Sequence, residues 1–451
     1  MKSFSIKVNK KITDFNKTTY INGCKSSTIR FFFIASLAYG VSSARGILES
    51  EDVLTTIKIL KKQLGVRILK KKDIYYVYSN GLDSYKTRNN LKFNCKNSGT
   101  LARLLPSVLL NYPQKFKIYG DFSLNKRDMK RVIQPLEKFG MSFYPKNKTT
   151  LPLTVQGTEF SIGGHTFLQN LPSAQQKTLM IFASLLAPGI TTIKAKKSRS
   201  HTELMLSHFK AGIRVFKKKN FDIIKINGQK DFKSAKVNIG GDMSSAIFII
   251  ALTILSKNSK IRIKNVNLNP TRSAILYVLK KMNAQIKILR RRKSSNEMCG
   301  EIIAKSSPNL KSFICPKSLN SNLIDDFVIL FFIAARSRGV SYFSGLEELR
   351  QKESDRLDTS ARILNQIGIK TKTTKDSIKI WGNPNLSLNK TYKIKSMYDH
   401  RIAMSSVIAG LVFGGTFIIS DGHSINTSFP DFLKILKKLG AGASYEIKYK
   451  N

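Results

Sequence analysis

Six segments of this chain place small polar or charged residues directly before an apolar run of helix length, at nearly constant spacing. They read NGCKSSTIRFFFIASLAYG, NSGTLARLLPSVLL, SAQQKTLMIFASLLAPG, GDMSSAIFIIALTIL, IDDFVILFFIAARSRG and DHRIAMSSVIAGLVFGG. With Lys25, Thr100, Gln175, Ser245, Asp325 and Arg401 as anchors, the intervals are 75, 75, 70, 80 and 76 residues. A second series runs between them: apolar residues at helical spacing, a stop at Gly65, Gly140, Gly212, Asn283, Gly368 or Gly440, then a strand-like stretch. Helices commonly end on a left-handed Gly or Asn, so each stop is expected to close a helix. A period of about 75 residues exceeds that of the common solenoid repeats. It fits an α/β fold of six pseudo-repeats, each a βαβ-containing unit with two helices and several strands.

The polar residues precede the apolar helices where unpaired backbone N–H groups and the positive end of the helix dipole collect anions. The same residue types also cap helices without any ligand. Charge alone points another way: 77 Lys and Arg against 28 Asp and Glu leave a net charge of +49, the footprint of a nucleic-acid binder. The cations are nevertheless spread in short runs, KKK at 70–72 and 217–219 and RRRK at 290–293, without a single basic arm. Anionic substrates and a lysine-rich composition account for them equally well. No apolar run approaches the roughly 20 residues that span a bilayer. The apolar stretch after Arg30 imitates a signal peptide, but about thirty residues, Asp14 among them, precede it, unlike a short n-region. Cys24, Cys95, Cys299 and Cys315 are scattered without metal-ligand spacing. A cytoplasmic protein with no membrane association is expected.

At the level of motifs, NGCKSSTIR, NSGTLAR, GDFSLNKRDM, LPLTVQG, SAQQKT, SRSHTE, GGDMSSA, LIDDF, EELRQKESDR, DHRIAM and SFPDF follow one another in this order. The series resembles the 5-enolpyruvylshikimate-3-phosphate synthase family over nearly the full chain, and KESDR followed by DHRIAM is its most specific part. The resemblance implies an inverse α/β barrel fold in two domains of three units each, 21–238 and 1–20 plus 239–451, with the active site in the cleft between them. It implies transfer of the enolpyruvyl group of phosphoenolpyruvate to the 5-hydroxyl of shikimate 3-phosphate, with release of phosphate. No cofactor and no metal are expected, the partners are these small anions rather than a specific nucleic acid, and the chain is expected to be a monomer.

Residue by residue, the resemblance makes Lys25, Asp325 and Glu353 catalytic. Lys25 touches both substrates, Asp325 accepts the 5-hydroxyl proton, and Glu353 moves a proton at the phosphoenolpyruvate methylene. Shikimate 3-phosphate falls to Lys25, Ser26, Arg30, Ser173, Gln175, Ser198, Asp325 and Lys352. Phosphoenolpyruvate falls to Lys25, Gly99, Arg127, Gln175, Arg356 and Arg401. Three positions depart from the family pattern: Asp128, usually proline, stands beside Arg127 and threatens its anion; Asp326 and Val328 replace Glu and Pro; and Thr427 stands where a lysine is frequent. One alternative is the sister transferase acting on UDP-N-acetylglucosamine. It relies on a cysteine ahead of the position of Arg127, whereas residues 96–126 hold none. A basic nucleic-acid-binding protein is the alternative from another class; it explains the charge but not the ordered motifs.

Overall fold

The computed structural model describes residues 4–449. The six apolar runs form helices α1 (Lys25–Leu37), α2 (Gly99–Val108), α3 (Ala174–Leu186), α4 (Met243–Leu255), α5 (Phe327–Ala335) and α6 (His400–Phe413). Every residue of α4, α5 and α6 is buried, as expected of helices that are apolar on all sides. The second series forms further helices, among them Lys130–Lys138, His201–His208, Ala274–Lys281, Arg356–Gln366 and Phe432–Lys438. Gly65, Gly140, Asn283, Gly368 and Gly440 adopt positive φ as expected. Gly212 does not: the left-handed residue after His201–His208 is Lys210, at φ 56°, because that helix stops two residues earlier.

Two compact units divide the chain. One, here the continuous unit, comprises Gly23–Ile239 with Lys293–Glu297; the other, the split unit, comprises residues through Asn22, Gly240–Arg292 and Met298 onward. Each has its own core and three sheets. In the continuous unit, Thr166–Gln169 runs parallel to Ile190–Lys196 across α3, and antiparallel strands Phe221–Asn227 and Ile213–Lys217 complete the sheet. Leu91–Asn94, Lys115–Tyr119, Leu153–Gln156 and Ser142–Tyr144 repeat the pattern around α2. A parallel pair needs a crossover, which the buried helix supplies.

Where α1 begins, the parallel partner comes from far away. Lys236–Asn238 pairs with Tyr39–Arg45, while in the split unit Asn16–Tyr20 pairs with Lys260–Asn267. These exchanges make one unit discontinuous in sequence. The sheet of Gly339–Ser344 has only three strands, its parallel edge reduced to the bridges Lys311 to Arg338 and Ile314 to Tyr342. Among the described residues no single helix is long and apolar enough to cross a membrane.

Candidate active site

In the continuous unit the helix N-termini carry the polar motifs. Ser98 caps α2 by accepting from Leu101 N at 3.3 Å, and Ser173 caps α3 by accepting from Gln176 N at 3.3 Å. Gly99 opens α2 and is needed for space. A Cβ there would stand 2.9 Å from Arg127 Nη1 and 3.0 Å from Arg103 Nη1. Two guanidinium groups thus converge on a helix N-terminus whose first amides have no intrahelical partner, a ready anion site. Arg103 donates to Gln175 Oε1 at 2.9 Å and Gln175 donates to Thr100 Oγ1 at 3.0 Å, tying α2 to α3. Arg127 donates to Asn97 Oδ1 at 3.1 Å and Ser123 Oγ at 3.4 Å.

Lys25 is the first residue of α1, its Nζ 2.8 Å from Asp52 Oδ2. Arg30, one turn on, is buried. Its Nε donates to Thr202 at 2.8 Å, Nη1 to the Ser26 carbonyl at 3.0 Å and Nη2 to Thr178 at 3.1 Å. Three of its five N–H groups are therefore spent inside the protein, and burial pushes its pKa down to about 10. Ser198 is buried in the loop before His201–His208, and its hydroxyl has no hydrogen-bond partner among the described residues.

The split unit gathers three arginines and five carboxylates. Arg356 Nη2 lies 2.6 Å from Glu353, Nε 2.8 Å from Asp399 and Nη1 3.7 Å from Asp325. Burial works against the Arg356 charge, but Asp399, Glu353 and Asp325 outweigh it and hold its pKa above the ordinary value. Arg272 reaches Asp326 at 3.3 Å, Asp242 at 3.8 Å and Asp325 at 4.0 Å. Arg401 lies 3.8 Å from Asp326 and donates to the Ser244 carbonyl at 3.3 Å. Burial lowers the pKa of Arg401 and raises that of Asp326, whose carboxylate also accepts from Ser244 Oγ at 2.8 Å. Asp399 caps α6 through the Arg401 amide at 2.9 Å while holding Arg356, so the cap and the ion pair share one side chain. Lys352 pairs with Glu348 at 3.3 Å.

Set against the sequence reading, the structure brings Gly99, Arg127 and Gln175 together, and separately Asp325, Glu353, Arg356 and Arg401. Asp128 is exposed, accepts from Lys130 N at 2.9 Å and bridges to Thr150. Thr427 turns its hydroxyl to the Ser424 carbonyl at 2.8 Å. Several participants carry no assigned role in the sequence reading. Arg103 stands one turn after Gly99 in a quoted motif, and that helical spacing was the available signal. Lys177 and Glu203 form a buried pair at 2.5 Å, and His201 Nδ1 sits 2.5 Å from Glu297 and 3.3 Å from Ser27 Oγ. Neither pairing has a local signature, because the partners are distant in sequence.

Residues 9–436 match the family described as EPSP synthase (3-phosphoshikimate 1-carboxyvinyltransferase). A 3-phosphoshikimate 1-carboxyvinyltransferase of Zymomonas mobilis is 36% identical over 439 residues, covering 96% of each chain. That of Petrotoga mobilis is 38% identical over 427 residues, covering 94% of this chain and 97% of the relative. The solved EPSP synthase of Acinetobacter baumannii superposes with a TM-score of 0.85 at 29% identity, covering 99% of this chain and all of that one. The enolpyruvyl transferase NikO of Streptomyces tendae, 13% identical, shares the fold at a TM-score of 0.77. With the six-unit architecture and both charged clusters in place, the chain belongs to the EPSP synthase family.

Proposed function

We propose that the two clusters serve one reaction, each with its own share of the residues. The chain is a 3-phosphoshikimate 1-carboxyvinyltransferase of the shikimate pathway, as its family and relatives indicate. In that reaction the 5-hydroxyl oxygen of shikimate 3-phosphate bonds to C2 of phosphoenolpyruvate, and the C2–O bond to phosphate breaks. The hydroxyl proton leaves to Asp325. A proton is added to the methylene carbon and later withdrawn, a task assigned to Glu353, with Lys25 exchanging protons beside both substrates.

The observation that carries this reading is Glu353 held 2.6 Å from Arg356, with Asp325 on the same guanidinium. One arginine keeps both proton-transfer groups together, and a substrate carboxylate arriving at Arg356 competes with Glu353 for its guanidinium. Charge-assisted contacts to guanidinium are strong and directional, which suits Arg127, Arg356 and Arg401 to phosphoenolpyruvate. Ser26, Ser173, Gln175, Ser198 and Lys352 are assigned to shikimate 3-phosphate. Arg30 keeps at most two N–H groups for it and acts chiefly as a strut fixing Ser26. Four buried free cysteines support a reducing, cytoplasmic setting. The deciding assay is phosphate release from phosphoenolpyruvate with and without shikimate 3-phosphate. Release that depends on both substrates is expected, and release indifferent to shikimate 3-phosphate would refute the assignment.

A further inference from the structure

The sheet of Leu91–Asn94, Lys115–Tyr119, Leu153–Gln156 and Ser142–Tyr144 has one face outside the chemistry above. Alternation buries Phe93, Phe116, Ile118 and Val155 and turns Lys92, Lys115, Lys117, Tyr119 and Tyr144 to the opposite face. None of these four strands contains an acidic residue. Lys92 and Lys117 are register partners in the parallel pair, and neighbouring strands run about 4.8 Å apart. Two lysine stems therefore stand side by side, an arrangement that like-charge repulsion disfavours. Among the described residues neither ammonium has an ion pair or hydrogen bond, and neither does the Tyr119 hydroxyl.

Lysine is plentiful on this protein; what sets this pair apart is a cavity of about 190 Å³ lined by Lys92, Lys117, Tyr119, Asn125 and Pro152. Asn125 has spent its amide on Gly120, accepting from its N–H at 2.8 Å and donating to its carbonyl at 3.0 Å. Besides the second Asn125 N–H, the uncommitted polar groups are two ammoniums and a phenol. Tyr119, Pro152 and the two lysine stems are the sources of apolar surface among the lining residues. Cationic donors together with the ring-bearing residues Tyr119 and Pro152 call for an anion with a ring. Two of the lining residues, Asn125 and Pro152, adjoin segments bonded to the Arg127 loop. Asn125 ends the short helix Phe122–Asn125, whose Ser123 accepts from Arg127. Pro152 follows the stretch in which Thr149 accepts from Met129 N at 2.6 Å and Thr150 bridges to Asp128.

We propose that this cavity is a second anion site, taking a small ring-bearing carboxylate, and that its occupancy moves the Arg127 loop and weakens phosphoenolpyruvate binding. The second half rests on Arg127 holding phosphoenolpyruvate; the first does not. The test titrates the full chain with benzoate by calorimetry, using benzyl alcohol as the ring without charge and inorganic phosphate as the charge without ring. The Lys92→Gln/Lys117→Gln variant is the control; both side chains are exposed, so its unfolding midpoint should match the parent. The parent should bind one equivalent of benzoate more than the variant, with half-saturation on the order of 1 mM, and the two comparators should not reproduce it. Equal benzoate binding by parent and variant would overturn the site. In kinetics, benzoate should raise the KM for phosphoenolpyruvate at least twofold in the parent only. The same rise in both proteins, or none in the parent despite binding, would overturn the coupling while leaving the site standing.

Discussion

Glu353 accepts from the guanidinium that the substrate carboxylate is proposed to use, so it is both a proton carrier and a competitor. Glu353→Gln should therefore lower kcat by about 10²- to 10⁴-fold without raising the KM for phosphoenolpyruvate. A tenfold rise in KM would show that Glu353 helps to hold the substrate instead. Lys25→Met should lose turnover on the same scale, but with a different effect on stability. The Asp52 side chain is only 6% exposed and loses its cation. An unpaired buried acceptor costs about 1–3 kcal/mol, visible as a lower urea midpoint that Asp52→Asn partly restores. The cysteines make a separate prediction. Burial pushes the Cys315 thiol up to about 11 and raises Cys95 as well, so the reactive thiolate is scarce near neutral pH. Thiol reagent should find almost no cysteine in the native protein and four after unfolding. Reactivity at Cys315 should grow as the pH nears 11. Between its unfolded pKa near 8.5 and about 11 the folded chain retains a proton that the unfolded chain releases, so this thiol's contribution to stability declines with rising pH. Rapid native labelling near pH 7 would contradict it.

Among the elements, α2 concentrates the most function in the fewest residues. Its first residue must lack a side chain because Arg103 and Arg127 occupy that space. Gly99→Ala meets the far ends of two flexible side chains rather than backbone. The helix should therefore survive, since Ser98 still caps it, while the guanidiniums shift outward. The expected result is a KM for phosphoenolpyruvate raised about tenfold or more with an unfolding midpoint nearly unchanged. An unaltered KM would remove Gly99 from the anion site. The same helix shows the extent of what could be read beforehand. Cap, glycine and apolar run were visible in NSGTLARLLPSVLL, because each acts within one or two turns. The bridge from Arg103 to Gln175 was not, because its partners are 72 residues apart and meet only when α2 packs on α3.

For the molecule as a whole, two separate cores imply two separately stable bodies. Residues 23–239 expressed alone should unfold cooperatively, with protected amides in α1, α2 and α3 on hydrogen exchange. Asp242 N donates to the Asn22 carbonyl at 2.9 Å, so one or two glycines can rejoin the remainder after 23–239 is removed. Each part should fold and neither should turn over substrate. A part that stays unfolded would show that its core depends on the other.

The sequence by itself determined the sixfold repeat, the helix ends, the buried helices and the identity of the motif residues, because periodicity, caps and left-handed stops are written within a few residues of one another. Even there it misplaced one stop, at Gly212 rather than Lys210, where a lysine takes a conformation that glycine usually fills. Tertiary structure alone decided which strand completes which sheet, since Asn16–Tyr20 and Lys236–Asn238 find their partners across roughly two hundred residues. It also decided that Asp128 bonds to Lys130 N, that Arg30 is buried with three N–H groups bonded inside the protein, and that Arg272 shares Asp325 with Arg356 while Lys177 and His201 pair with Glu203 and Glu297. Which charges meet depends on packing, and burial then makes those meetings strong by removing the water that would screen them.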